Sequence, residues 1–109
     1  MEKSFPAYQG TEQFVFVSYS HLDTEQVFSE ITLLAEQGIN IWYDEGIRPG
    51  AEWRDELALA IRNSSLFLFF VTPNSAVSDH CRKEIYFALD IGCPIIAVYL
   101  QKTSLPDGI

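Results

Sequence analysis

The chain has 109 residues, a length that fits one domain, and its 48% hydrophobic and 14% aromatic content supports a packed core rather than a disordered segment. With 7 Lys+Arg against 15 Asp+Glu the net charge is −8, the wrong sign for neutralising nucleic-acid phosphates or an anionic membrane surface, so neither partner is expected. No apolar run approaches the roughly 20 residues of a membrane span, and the chain does not open with a charged region followed by an apolar one, so the expected location is cytoplasmic.

Residues 1–12 carry Pro6, Gly10 and polar residues without periodicity and read as a flexible N-terminal segment ahead of a domain over 13–109. Phe14 to Ser18 is a continuous aromatic and β-branched run, the pattern of a strand buried on both faces. Asp23 or Thr24 can cap the next helix, whose apolar residues Val27, Phe28, Ile31, Leu34 and Ala35 form one stripe ended by Gly38. Ile39 to Tyr43 predicts a second strand, and Asp44 to Gly50 a loop rich in turn residues. Trp53, Leu57, Ala60 and Ile61 stripe a second helix, and Leu66 to Val71 is the strongest buried-strand signal. Pro73 to Ser78 reads as a loop. Cys81, Ile85, Ala88 and Leu89 stripe a third helix closed by Gly92, and Pro94 to Leu100 forms a fourth strand, apolar on both alternating faces.

Strands alternating with helices through short loops imply an α/β fold, a parallel sheet with helices on both faces. In such sheets ligands bind beyond the carboxyl ends of the strands. The usual signatures there are missing: strand one runs into Ser18-Tyr19-Ser20-His21 without the glycines of a dinucleotide or phosphate loop. Strand three runs into Thr72-Pro73-Asn74-Ser75 rather than a phospho-accepting aspartate, and no Gly-x-Ser-x-Gly elbow occurs. Cys81 and Cys93 have neither CxxC spacing nor a surrounding ligand set, so reduced thiols and no metal are expected.

Glu84 stands out. With Cys81 as origin and about 100° per residue, Ile85 falls at about 40°, Ala88 at about 340° and Glu84 at about 300°, inside the apolar arc. A carboxylate there is costly without partners or a cavity, which makes it a functional candidate. The structural alternative is a carboxylate at the rim of the arc, paired with a helix-start donor, Arg82 or Lys83. His80, one turn earlier on the same face, can hold the carboxylate or touch a ligand. Ser18, Tyr19 and Ser20 at the end of strand one offer an aromatic face and two hydroxyls to a nucleotide. Glu45, Gly46, Ile47, Arg48, Pro49 and Gly50 mix charge with an aliphatic side chain, as a protein-contact loop would.

Phe14 to Ser20, Ile41-Trp42-Tyr43-Asp44, Gly46 to Gly50 and Ser78-x-x-Cys81-x-x-Glu84-Ile85, in this order and spacing, resemble a Toll/interleukin receptor (TIR) domain of bacterial type. The resemblance runs from about Phe14 to Leu100. It implies a flavodoxin-like sheet, here lacking the family's C-terminal strand and helix, so that a continuation of the chain or another copy is expected to cover strand four. It also implies cleavage of NAD⁺ at the nicotinamide glycosidic bond, with Glu84 catalytic and Ser18, Tyr19, Ser20, Asp44 and His80 binding substrate. NAD⁺ is then substrate and no cofactor is expected. Many catalytic members carry Trp where this chain has His80. The resemblance further implies self-association or pairing with other TIR domains through the 44–50 loop, activity that depends on assembly, and a role in immune or defence signalling. The alternative it allows is a non-catalytic adaptor acting through TIR–TIR contacts. The chemistry suits one carboxylate: nicotinamide leaves as a neutral base without a general acid, and the oxocarbenium-like transition state calls for negative charge beside the ribose.

Overall fold

The computed structural model describes residues 5–44 and 55–105. In chain order the elements are β1 (Val15–Ser18), a single 3-10 turn (His21–Asp23), α1 (Thr24–Glu36), β2 (Ile41–Trp42), α2 (Asp55–Asn63), β3 (Leu66–Val71), α3 (Pro73–Ala76), α4 (Asp79–Asp90) and β4 (Ile95–Tyr99). The strands form one parallel sheet in the order β2-β1-β3-β4, the flavodoxin-like arrangement in which the chain reverses direction across the sheet at β1 and β3. Ser18 lies opposite Phe69, so the loops leaving β1 and β3 emerge side by side.

Alternation along the two central strands divides the core in two. Val17, Tyr19, Leu68 and Phe70 pack with Val27, Phe28 and Ile31 of α1, and with Ile41 and Tyr43. Phe16, Phe67, Phe69 and Val71 pack with Leu57 and Ile61 of α2 and with Cys81, Ile85 and Ala88 of α4. Rings align through the second layer, where Phe16 stacks on Trp42 at 5.0 Å and on Phe67 at 5.2 Å. Helices therefore cover both faces, as the alternating pattern requires.

Gly38 and Gly92 end α1 and α4 for one reason. Both take positive φ, 89° and 74°, which lets the backbone turn back on the helix. Gly38 N–H then donates to Ala35 and Ile39 N–H to Leu34, while Gly92 N–H donates to Leu89 and Cys93 N–H to Ala88. These paired bonds satisfy carbonyls the helix would otherwise leave open.

Three expectations change. The N-terminal segment is packed from Phe5 onward: Ala7 is 5% exposed, Tyr8 N–H donates to Ile41 at 2.8 Å, and Tyr43 hydroxyl donates to the Phe5 carbonyl. It covers the open side of the short β2, which absent periodicity in the sequence could not reveal. Pro73–Ala76 is a helical turn rather than loop, because Thr72 and Ser75 form a reciprocal capping box. Leu89 faces solvent, since it lies at the far edge of the arc that Cys81, Ile85 and Ala88 centre on. Strand β4, the edge strand, leaves Ile96 50% and Tyr99 54% exposed, as expected of a fourth strand whose cover the described helices do not supply.

Candidate active site

Helix α4 carries Glu84 to the carboxyl end of β1. Ser78 begins that helix, its hydroxyl accepting from Cys81 N–H at 3.2 Å, and Cys81, Ile85 and Ala88 seat it on the sheet. Seating on those three residues turns Glu84 inward, and it is only 3% exposed. Ser18 Oγ, at the last residue of β1, donates to Glu84 Oε1 at 2.7 Å. His80 Nε2 lies 3.1 Å from Oε2, off the line of a well-formed hydrogen bond. Arg82 instead reaches toward Asp79, at 3.9 Å.

Burial pushes the Glu84 carboxyl above its ordinary range, and Asp44 adds to this as a like charge, while contact with His80 and the Ser18 hydroxyl act in the opposite direction. His80 is 22% exposed at its side chain and Ser18 is buried, so a ligand approaching from solvent meets the imidazole before the serine. The arrangement is a single desolvated carboxylate oriented by one hydroxyl, suited to stabilising positive charge on a bound group.

Ser18 and Tyr19 do not form one cradle. Successive strand residues point to opposite faces, so Ser18 meets Glu84 while Tyr19 joins the α1 core. Tyr19 packs edge-on to Phe28 at 5.8 Å and stacks on His21 at 4.8 Å with rings 11° apart. Its buried hydroxyl approaches Thr24 without a well-aligned hydrogen bond, and burial followed by the nearby Tyr43 pushes its ionisation far upward. Ser20 Oγ accepts from Leu22 N–H at 3.3 Å and so caps the 3-10 turn. Asp44 is buried at the end of β2 and borders a cleft of about 570 Å³ between the N-terminal segment and α2, which Glu84, Ser18 and His80 do not line. Glu45, Gly46, Ile47, Arg48, Pro49 and Gly50 lie outside the described residues.

The Cys81 thiol is pushed up to about 12 by burial and by the charge of Glu84, so it packs rather than attacks. Cys81 and Cys93 are both free, and no group of metal-ligating side chains occurs among the described residues. A feature the sequence reading missed sits one loop away: Asp23 caps nothing, and instead accepts from Thr72 Oγ1 and Asn74 Nδ2. Its only sequence signal is the Thr72-x-x-Ser75 spacing, which marks a helix start but not a partner across the sheet.

With this fold and site, the chain belongs to the TIR domain family, whose model matches residues 15–108. It is similar in structure to the TIR domain of the Toll-related receptor TRR-2 from Hydra magnipapillata, at TM-score 0.72 and 22% identity over 85% of this chain and 74% of that one. The TIR domains of the activated Roq1 resistosome, which recognises the pathogen effector XopQ, match at TM-score 0.73 and 25% identity over 84% of this chain and 60% of that one. A metazoan TIR-STING receptor from C. gigas matches at 0.69 and 21%, over 95% of this chain and 37% of that one. The chain thus spans less than two thirds of the latter two. No curated protein matches it. No helix among the described residues is long and apolar enough to cross a membrane.

Proposed function

We propose that this TIR domain, which we read as of bacterial type from its motif order, cleaves the nicotinamide glycosidic bond of NAD⁺ in defence signalling. The observation that carries the reading is Glu84, a carboxylate only 3% exposed at the carboxyl end of a parallel sheet, oriented by Ser18 and faced by His80. A group held so far from water at such a cost to folding is better explained by chemistry than by packing. Once ionised, it accepts hydrogen bonds from the ribose and stabilises the positive charge that develops as the neutral base departs. Water then adds to the sugar carbon, releasing ADP-ribose and a proton. His80, 3.1 Å from Oε2, must give way for the sugar to reach that oxygen, and Asp44 at the β2 end acts on the carboxylate as a like charge.

Partners of the same kind fit the surface. Exposed Ile96 and Tyr99 on the edge strand offer apolar area to a second TIR domain, and one structural neighbour is itself a resistosome. Release of nicotinamide is followed as protein concentration is raised about a hundredfold, with the 44–50 loop intact. Specific activity is expected to rise steeply with concentration; if it stays constant, assembly is not required. If no release occurs at any concentration, the hydrolase reading falls. The adaptor reading then gains, and substitution of Ile47 and Arg48 should abolish TIR–TIR binding while Glu84→Ala leaves it unchanged.

A further inference from the structure

The loop leaving β1 is anchored at both ends. At the first, Ser18 Oγ donates to Glu84 at 2.7 Å. At the second, the Asp23 carboxylate accepts from Thr72 Oγ1 at 2.5 Å and from Asn74 Nδ2 at 2.9 Å. The second anchor rests on rigid backbone: Thr72 Oγ1 accepts from Ser75 N–H at 3.1 Å, and Ser75 Oγ donates to the Phe70 carbonyl at 2.8 Å. Asp23 is 9% exposed and Thr72 fully buried.

Local structure does not ask for this. The 3-10 turn is already capped by Ser20, and Asp23 makes no side-chain capping bond to α1. A carboxylate withdrawn from water and uninvolved in its own helix start is retained only where its partners compensate. Those partners lie on the loop that leads through α3 into α4 and hence to His80 and Glu84. Between the two anchors stand Tyr19 and His21, their rings stacked.

We propose that Asp23 is a positioning residue: through Thr72 and Asn74 it clamps the 18–23 loop to the β3–α4 connection, so that the loop between Ser18 and Asp23, with its stacked Tyr19 and His21, is held in place at the carboxyl end of the sheet. As to substrate, this rests on the NAD⁺ reading above; as to the clamp, it rests on geometry alone. Releasing the second anchor leaves the Ser18–Glu84 bond in place. The reacting centre is then preserved while the 18–23 loop loosens, which weakens binding more than turnover.

Three variants separate a clamp from a general prop. Asp23→Ala removes both bonds. Asn74→Ala removes one from a half-buried position and keeps the test available if the first variant folds poorly. Asp23→Asn still accepts from Thr72 and, with the Asn74 amide turned over, pairs with it. Hydrogen exchange across 19–24 should speed up at least about tenfold in Asp23→Ala, less in Asn74→Ala, and return in Asp23→Asn, with β3 and α4 unchanged. KM for NAD⁺ should rise about tenfold with kcat within about twofold, and Asp23→Asn should restore it. Unchanged exchange over 19–24, or exchange raised evenly through the domain, overturns the clamp. Local loosening with unchanged KM overturns its role in the site. If wild type cleaves no NAD⁺ at all, the hydrolase reading fails and exchange alone decides the clamp.

Discussion

Of the three buried carboxylates at the carboxyl end of the sheet among the described residues, Asp23 and Glu84 are surrounded in contrasting ways. Asp23 meets two donors, one to each oxygen, supplied by Thr72 and Asn74 at the start of α3. Glu84 has one aligned donor, Ser18, and an imidazole set off the hydrogen-bond line, with Cys81, Ile85 and Ala88 alongside it on the helix face that meets the sheet. The first is a completed junction between loops. The second is less fully partnered, and its burial makes ionisation costly. The difference teaches where to look for chemistry: a buried charge with all its partners holds structure, and one held short of them is available to a ligand.

Exchanging acid for amide at each position sharpens the contrast most. Glu84→Gln should lower nicotinamide release by roughly 100- to 1,000-fold, since the amide keeps the shape but not the charge that meets the transition state. Asp23→Asn should keep most activity because its bonds survive. Equal losses in the two variants, measured on matched folded protein, would erase the distinction. Next in size is the acid limb. Because the carboxylate must be ionised to act, kcat/KM should fall as pH drops through a value above the ordinary glutamate 4.5. The imidazole of His80 holds that value down, so His80→Ala should move the limb to higher pH; a limb that stays put would mean the 3.1 Å approach carries no electrostatic weight.

Much of this was readable from residue order, and the failures have physical causes. The parallel fold follows from Leu66–Val71 and the alternating elements, because a doubly covered strand must be apolar on both sides. Glu84 was legible because helical spacing fixes a face once Cys81, Ile85 and Ala88 define it. The same period-two rule that marks β1 as a strand also sends Ser18 and Tyr19 apart, yet adjacency in sequence had grouped them as one cradle. Asp23 escaped because local rules see only its own helix, whereas its partners Thr72 and Asn74 arrive through the pairing of β1 with β3. Ala7 and Phe5 escaped likewise: they bury against β2, Phe28 and Tyr43, contacts that no nearby repeat announces.

The smallest effect expected is on stability, and its sign is the most diagnostic. The folded Glu84 carboxyl binds its proton more tightly than the unfolded chain does, with burial as the leading cause. Between the ordinary value and the raised one, the native state therefore holds more protons than the unfolded state, and stability falls as pH rises through that window. Below the window the contribution is fully present; above it the domain carries the cost of a buried charge. Glutamine cannot ionise, so Glu84→Gln should melt higher than wild type at neutral pH, by roughly 2–6 °C, with the gap closing in acid. Thermal melts of both proteins across pH measure this directly. A variant that melts lower at neutral pH would mean that the Ser18 bond and the His80 contact outweigh burial, and Glu84 would then belong with Asp23 among the structural carboxylates.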